Sequence, residues 1–199
     1  CDALLSENAS EYIIKLTDNL HMLAGDEYIN TLCPYFYIEL PKEQKSYQLV
    51  LHRTLESVRD QYDYIVIDNP PALGELSVVS LSASDYVIIM FEPKKFTYSS
   101  LKSYIKTIEF VQEKINHDLK IIGILRTLID NRRSDYKYYS DLIEEEFKDL
   151  CFKAVIQRSA TIGRVDSLGI AGNPEIKHII KHYEPFYKEL MKRVKDISR

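Results

Sequence analysis

Tyr62-Asp63-Tyr64-Ile65-Val66-Ile67-Asp68-Asn69-Pro70-Pro71-Ala72-Leu73-Gly74 is the stretch on which the reading of this chain turns. Its first half is a short aromatic and β-branched run, which predicts a strand buried on both faces of a sheet. An Asp that ends such a strand has its carboxylate pushed into the crevice beyond the strand. There it can hold the water shell of a magnesium ion beside the phosphates of a nucleotide. Pro70 and Pro71 stiffen the turn that follows, and Gly74 lets the chain swing away. A rigid loop just past a metal-organising carboxylate is suited to sensing a γ-phosphate.

Outward from this point the pattern alternates. Residues 44–61 predict a helix with Leu49, Leu51, Leu55 and Val58 apolar, and a short helix is expected after Gly74. A second apolar run covers 85–91. It is followed by Leu101, Tyr104, Ile105, Ile108, Val111 and Ile115 at helical spacing. Residues 120–129 read as a third strand, 136–150 as a helix and 151–156 as a fourth strand. Residues 174–194 predict a helical tail with Ile176, Ile179, Ile180, Tyr183, Tyr187, Leu190 and Val194 inward, and with a break or kink near Glu184 because Pro185 follows. Strands alternating with helices imply right-handed crossovers and a mostly parallel sheet covered by helices on both faces, an α/β fold. Ligands of such sheets sit beyond the carboxyl ends of the strands.

The 199 residues, 45% hydrophobic and 28% charged, suit one globular domain spanning 1–199 and exclude a disordered or fibrous chain. Cys1, Cys33 and Cys151 are too few and too scattered for a disulfide framework or a zinc knuckle, so a reducing cytoplasm and packed thiols are expected. No apolar run is long enough to cross a bilayer, and no membrane partner is expected. The net charge of −4 is uneven. Residues 151–199 hold ten Lys or Arg against five Asp or Glu, hence +5; the remaining 16 and 25 give the first 150 residues −9. The basic end can touch an acidic partner or simply be a solvated helix face.

Strand, Asp, x, Pro, Pro, small residue, Leu, Gly resembles the Walker B strand and second switch of ParA and its relatives, the P-loop partition ATPases. Three further segments share the resemblance in the same order. Ser84-Asp85-Tyr86-Val87-Ile88-Ile89 is similar to the family's A-D-x-V-I-I strand. Gly123 to Arg132 is similar to its G-I-x-x-T-M-x-D-x-R segment. Val155-Ile156-Gln157-Arg158, with Gly169 eleven residues on, follows its V-I-P-R loop. The likeness runs from about Leu20 to the C-terminus and implies a P-loop NTPase-like fold.

By that resemblance Asp68 is the Walker B carboxylate that organises Mg2+, with Pro70 and Pro71 as the switch turn. Thr127, Asp130 and Gln157 lie near the adenine of ATP, Gln157 standing where the family usually has Pro. Strand ends are also often polar for reasons of turn formation alone. The family's K-G-G-x-G-K-T loop and its D-x-D-P-Q segment are absent. Because the chain begins with Cys, it is expected to be the C-terminal two-thirds of a ParA-like ATPase domain, incomplete at its N-terminus and inactive by itself.

Relatives bound to ATP form homodimers, bind DNA non-specifically and answer to a centromere-binding, ParB-like partner on the nucleoid. One of their DNA-binding arginines falls at Thr161, so Arg164 is its substitute. Lys188, Lys192, Arg193 and Lys195 of the last helix complete the expected DNA-binding set. Two alternatives stay open: a non-catalytic interaction module of the same fold, and a MinD-like positioning ATPase. Against the latter, the charged C-terminus makes a poor membrane anchor.

Overall fold

The computed structural model describes residues 1–25, 27–69, 74–129, 134–159 and 176–197, and Pro70, Pro71, Asp130 and Arg164 therefore lie outside the described residues. The chain divides into two units, Cys1–Asp85 with Thr107–Leu119, and Tyr86–Lys106 with Lys120–Arg199.

Helices of the first unit include α1 (Asp2–Leu5), α2 (Leu40–Lys42), α3 (Val50–Glu56) and α4 (Glu75–Ser82). Leu4, Leu32, Phe36, Leu40, Val50 and Val79 form its core. Strands β1 (Ile13–Lys15) and β2 (His21–Leu23), not foreseen in the sequence, pair antiparallel with Ile14 opposite Met22. The helix expected over 44–61 is broken into a turn at Tyr47–Leu49, α3, and a turn at Arg59–Gln61. Its end has a local cause. The Thr54 carbonyl accepts from Ser57 Oγ at 2.9 Å and from the Ala9 amide at 3.3 Å, which draws it out of the helical ladder. Arg53 grips Glu7 with two hydrogen bonds of 2.7 and 3.0 Å and so ties α3 to the segment after α1.

The deciding stretch departs from expectation. Residues 62–68 join no strand ladder, and Tyr64, Ile65 and Val66 are exposed, Val66 to 92%. A β-strand is stable only when a neighbour takes its amides and carbonyls, and no described residue pairs with these. Gly74 caps α4 with extended backbone, φ −174°, which any residue adopts, so its special freedom is not used there.

In the second unit β3 (Tyr86–Phe91), β4 (Lys120–Ile129) and β5 (Cys151–Gln157) form a parallel sheet in the order β3-β4-β5 among the described residues. The three expected strands appear within a residue of their predicted bounds. Helix α5 (Lys95–Lys114) links β3 to β4, and its two halves fall in different units. Helix α6 (Ser134–Phe147) and a turn at Lys148–Leu150 link β4 to β5. Parallel neighbours need such crossovers, and the fold class read from the alternation holds.

The tail is one helix, α7 (Ile176–Ile197), which runs through Pro185 instead of breaking before it. Its Tyr183, Phe186, Leu190, Val194 and Ile197 pack on Ile122, Leu125, Phe152 and Ile156 of the sheet. This stripe holds the helix against the proline's missing amide bond. It also corrects the expected inward set: Ile180 and Tyr187 are exposed at 53% and 60%, and Phe186 takes their place. Cys151 is buried as expected, whereas Cys33 is exposed.

Candidate functional site

Asp68 ends the unpaired stretch with its side chain exposed. It makes no hydrogen bond or ion pair among the described residues. Beside it Asn69 Oδ1 is buried and receives no donor among the described residues. An open carboxylate next to an orphaned amide oxygen is a pair of hard oxygen donors, the type that magnesium and its water shell prefer.

Within the second unit the carboxyl ends of the strands gather polar side chains. Thr127 and Gln157 come to this same end, since β4 and β5 are parallel and Ile129 faces Gln157. Gln157 is exposed and Thr127 half-buried. The Arg158 amide donates to the Ile129 carbonyl at 3.0 Å and carries the pairing one residue past the strand.

Sequence reading missed the group beside them. Glu92 follows the last residue of β3, accepts from the hydroxyl of the buried Tyr136 at 2.7 Å and pairs with Lys94 at 2.6 Å. Burial works against ionising Glu92, but the hydrogen bonds from Lys94 and Tyr136 outweigh it and hold the carboxyl below its usual range. Burial, then the bond to Glu92, pushes the Tyr136 phenol up. The sequence signal was position: Glu92 comes directly after an apolar run, much as Asp68 closes one.

Helix α7 splits the predicted basic set. Lys188, Lys192 and Lys195 are exposed. Lys181, which the sequence reading left out, is exposed too and lies seven residues before Lys188, so all four fall on one helical stripe. Arg193 does not share it. Its guanidinium turns inward, donating to the Cys151 carbonyl at 2.6 Å and to that of Ile122 at 3.0 Å, and lies 4.3 Å from the centroid of the Phe152 ring. A cation spent on backbone carbonyls and an aromatic face has little left for a phosphate. Among the described residues no helix is long and apolar enough to cross a membrane.

Parallel strands joined through helices, with polar groups collected at their carboxyl ends, define a parallel-sheet α/β protein. Residues 2–121 match a family model described as an AAA domain, AAA_31, and the chain belongs to this ParA-type family. It is similar to the sporulation initiation inhibitor protein Soj of Bacillus subtilis, 36% identical over 124 residues that cover 62% of this chain and 49% of Soj. It is also similar to the chromosome partitioning protein ParA of Myxococcus xanthus, 32% identical over 155 residues covering 75% of this chain and 54% of that protein. The chain thus spans about half the length of these curated relatives. Its fold resembles that of cobyrinic acid a,c-diamide synthase from Mycobacterium smegmatis with bound ADP and magnesium. That likeness has a TM-score of 0.68 at 20% identity and covers 84% of this chain and 71% of that one.

Proposed function

We propose that the chain is part of a plasmid or chromosome partition ATPase, a cytoplasmic, nucleoid-associated protein. In the intact protein, binding of ATP and Mg2+ drives homodimerisation and the dimer holds DNA without regard to sequence. A centromere-binding, ParB-like partner then triggers hydrolysis and release. The observation that carries this reading is the family match over residues 2–121, which takes in residues 68–74.

Magnesium, when bound, would neutralise charge on the phosphates. Asp68, unpaired beside the orphaned Asn69 oxygen, is the residue to hold its water shell. The switch role falls to Pro70 and Pro71, and the adenine contacts to Thr127, Asp130 and Gln157. Lys188, Lys192 and Lys195, joined by Lys181 and by Arg164, meet the DNA phosphates as point charges. Residues 1–199 contain no phosphate-gripping glycine loop, so by themselves they do not turn over ATP.

Replacing Asp68 with Ala in the complete protein should abolish magnesium-dependent ATP turnover while circular dichroism stays the same. Turnover at the wild-type rate would overturn the assignment.

A further inference from the structure

Between Cys151 and Val155 strand β5 is longer than the stretch of β4 it faces. Ile124 stands opposite Cys151, yet Arg126, two residues on, stands opposite Val155, four on. Extra residues of this kind leave ladder groups without a strand partner. Charged side chains reach four backbone groups of this stretch. The Cys151 carbonyl accepts from Arg193 Nη2 at 2.6 Å and the Phe152 carbonyl from Arg126 Nη2 at 3.1 Å. The amides of Lys153 and Ala154 donate to the two carboxylate oxygens of Glu189 at 3.1 and 3.0 Å.

Glu189 and Arg193 are one turn apart on α7 and paired with each other at 2.9 Å. The helix is therefore fastened to the bulge by directional, charge-assisted bonds as well as by apolar contact. Apolar surfaces tolerate sliding, but bonds with narrow distance and angle ranges do not. A small movement of α7 must move the bulge with it or break these bonds. Beyond the bulge lie only Val155 and Ile156 before Gln157 and Arg158 at the carboxyl end of the sheet. On the helix, Lys188 and Lys192 are the immediate neighbours of Glu189 and Arg193 and face solvent.

We propose that Glu189 and Arg193 couple the lysine face of α7 to the Gln157 end of β5, so that duplex DNA held on the lysines changes how the bulge is held and thereby repositions that strand end. The inference rests on the DNA-binding reading above and adds its regulation. Linkage makes the effect mutual: whatever occupies the strand end changes the affinity of the lysine face by the same factor. Glu189 and Arg193 are positioning residues and touch neither ligand.

The test is backbone hydrogen exchange of the full-length protein with and without a short DNA duplex of arbitrary sequence. In the wild type, DNA should change exchange at Lys153, Ala154, Gln157 and Arg158 by about threefold or more. Glu189→Gln keeps one acceptor oxygen but loses the charge; it should still bind the duplex, within about twofold of wild type, and lose the change at Gln157 and Arg158. Should that variant unfold, Arg193→Lys, which keeps its charge, gives the same comparison. Unchanged exchange in DNA-bound wild type, or a change that persists in both variants, overturns the coupling and leaves DNA binding standing. Absence of DNA binding by the wild type overturns both.

Discussion

Gly123 of β4 and Arg193 of α7 approach so closely that a Cβ on the glycine would lie 2.9 Å from Arg193 Nη1; it would also lie 2.6 Å from Phe152 Cε2 and 2.7 Å from the Leu150 carbonyl. The glycine is needed for space. Gly123→Ala should therefore cost about 1–3 kcal/mol of stability through overpacking, read as a lower midpoint in urea. An unchanged midpoint would mean that α7 is not clamped at this point.

Acid should loosen the same clamp. Burial raises the pKa of Glu189, but the amides of Ala154 and Lys153 and the Arg193 guanidinium outweigh it and leave the carboxyl below its ordinary value. A carboxyl depressed in the folded state adds stability above its unfolded pKa and loses it as pH falls through the folded one. Wild type should therefore lose stability faster than Glu189→Gln once pH drops below about 4.3. Parallel pH profiles of thermal unfolding would contradict this.

Leu128 sits at φ 55°, left-handed backbone that a leucine adopts at a cost. It lies where β4 has one residue more than β5, between the Arg126–Val155 and Ile129–Gln157 partners, and its side chain is exposed. Leu128→Asn, which tolerates this conformation, should raise stability by about 0.5–1 kcal/mol. A loss in the same denaturation assay would show that the leucine side chain matters more than its backbone.

Salt separates a phosphate-binding face from a merely solvated one. If Lys188 and Lys192 each meet a phosphate, replacing either with Gln should weaken DNA binding alike for all sequences and reduce the salt-dependence slope by about one. Lysines that only solvate α7 would leave both affinity and slope untouched.

Local pattern made much of the fold legible. Strand β4 matches residues 120–129 because a long β-branched run bounded by polar residues has few other uses. Pairing was not legible, because residues 62–68 have every local mark of a strand, yet a ladder depends on what lies alongside. That α7 continues through Pro185 was hidden for a related reason: the proline's local cost was plain, whereas the stripe from Tyr183 to Ile197 that offsets it needs the sheet to be seen. At the candidate site the sequence grouped Arg193 with its basic neighbours, since charge is visible in a string of letters. The carbonyls that claim that charge come from residues some 40 to 70 positions away, beyond any helical spacing rule.

The bare run Tyr64-Ile65-Val66-Ile67 also has a practical meaning at the bench. It holds neither a proline nor a charge, and no described residue claims its backbone, which leaves it open to any similar run that meets it; that is how chains template one another into insoluble deposits. Precipitation of this polypeptide should begin there, and Val66→Lys, on the most open of these side chains, is the change to make first when concentrated samples cloud.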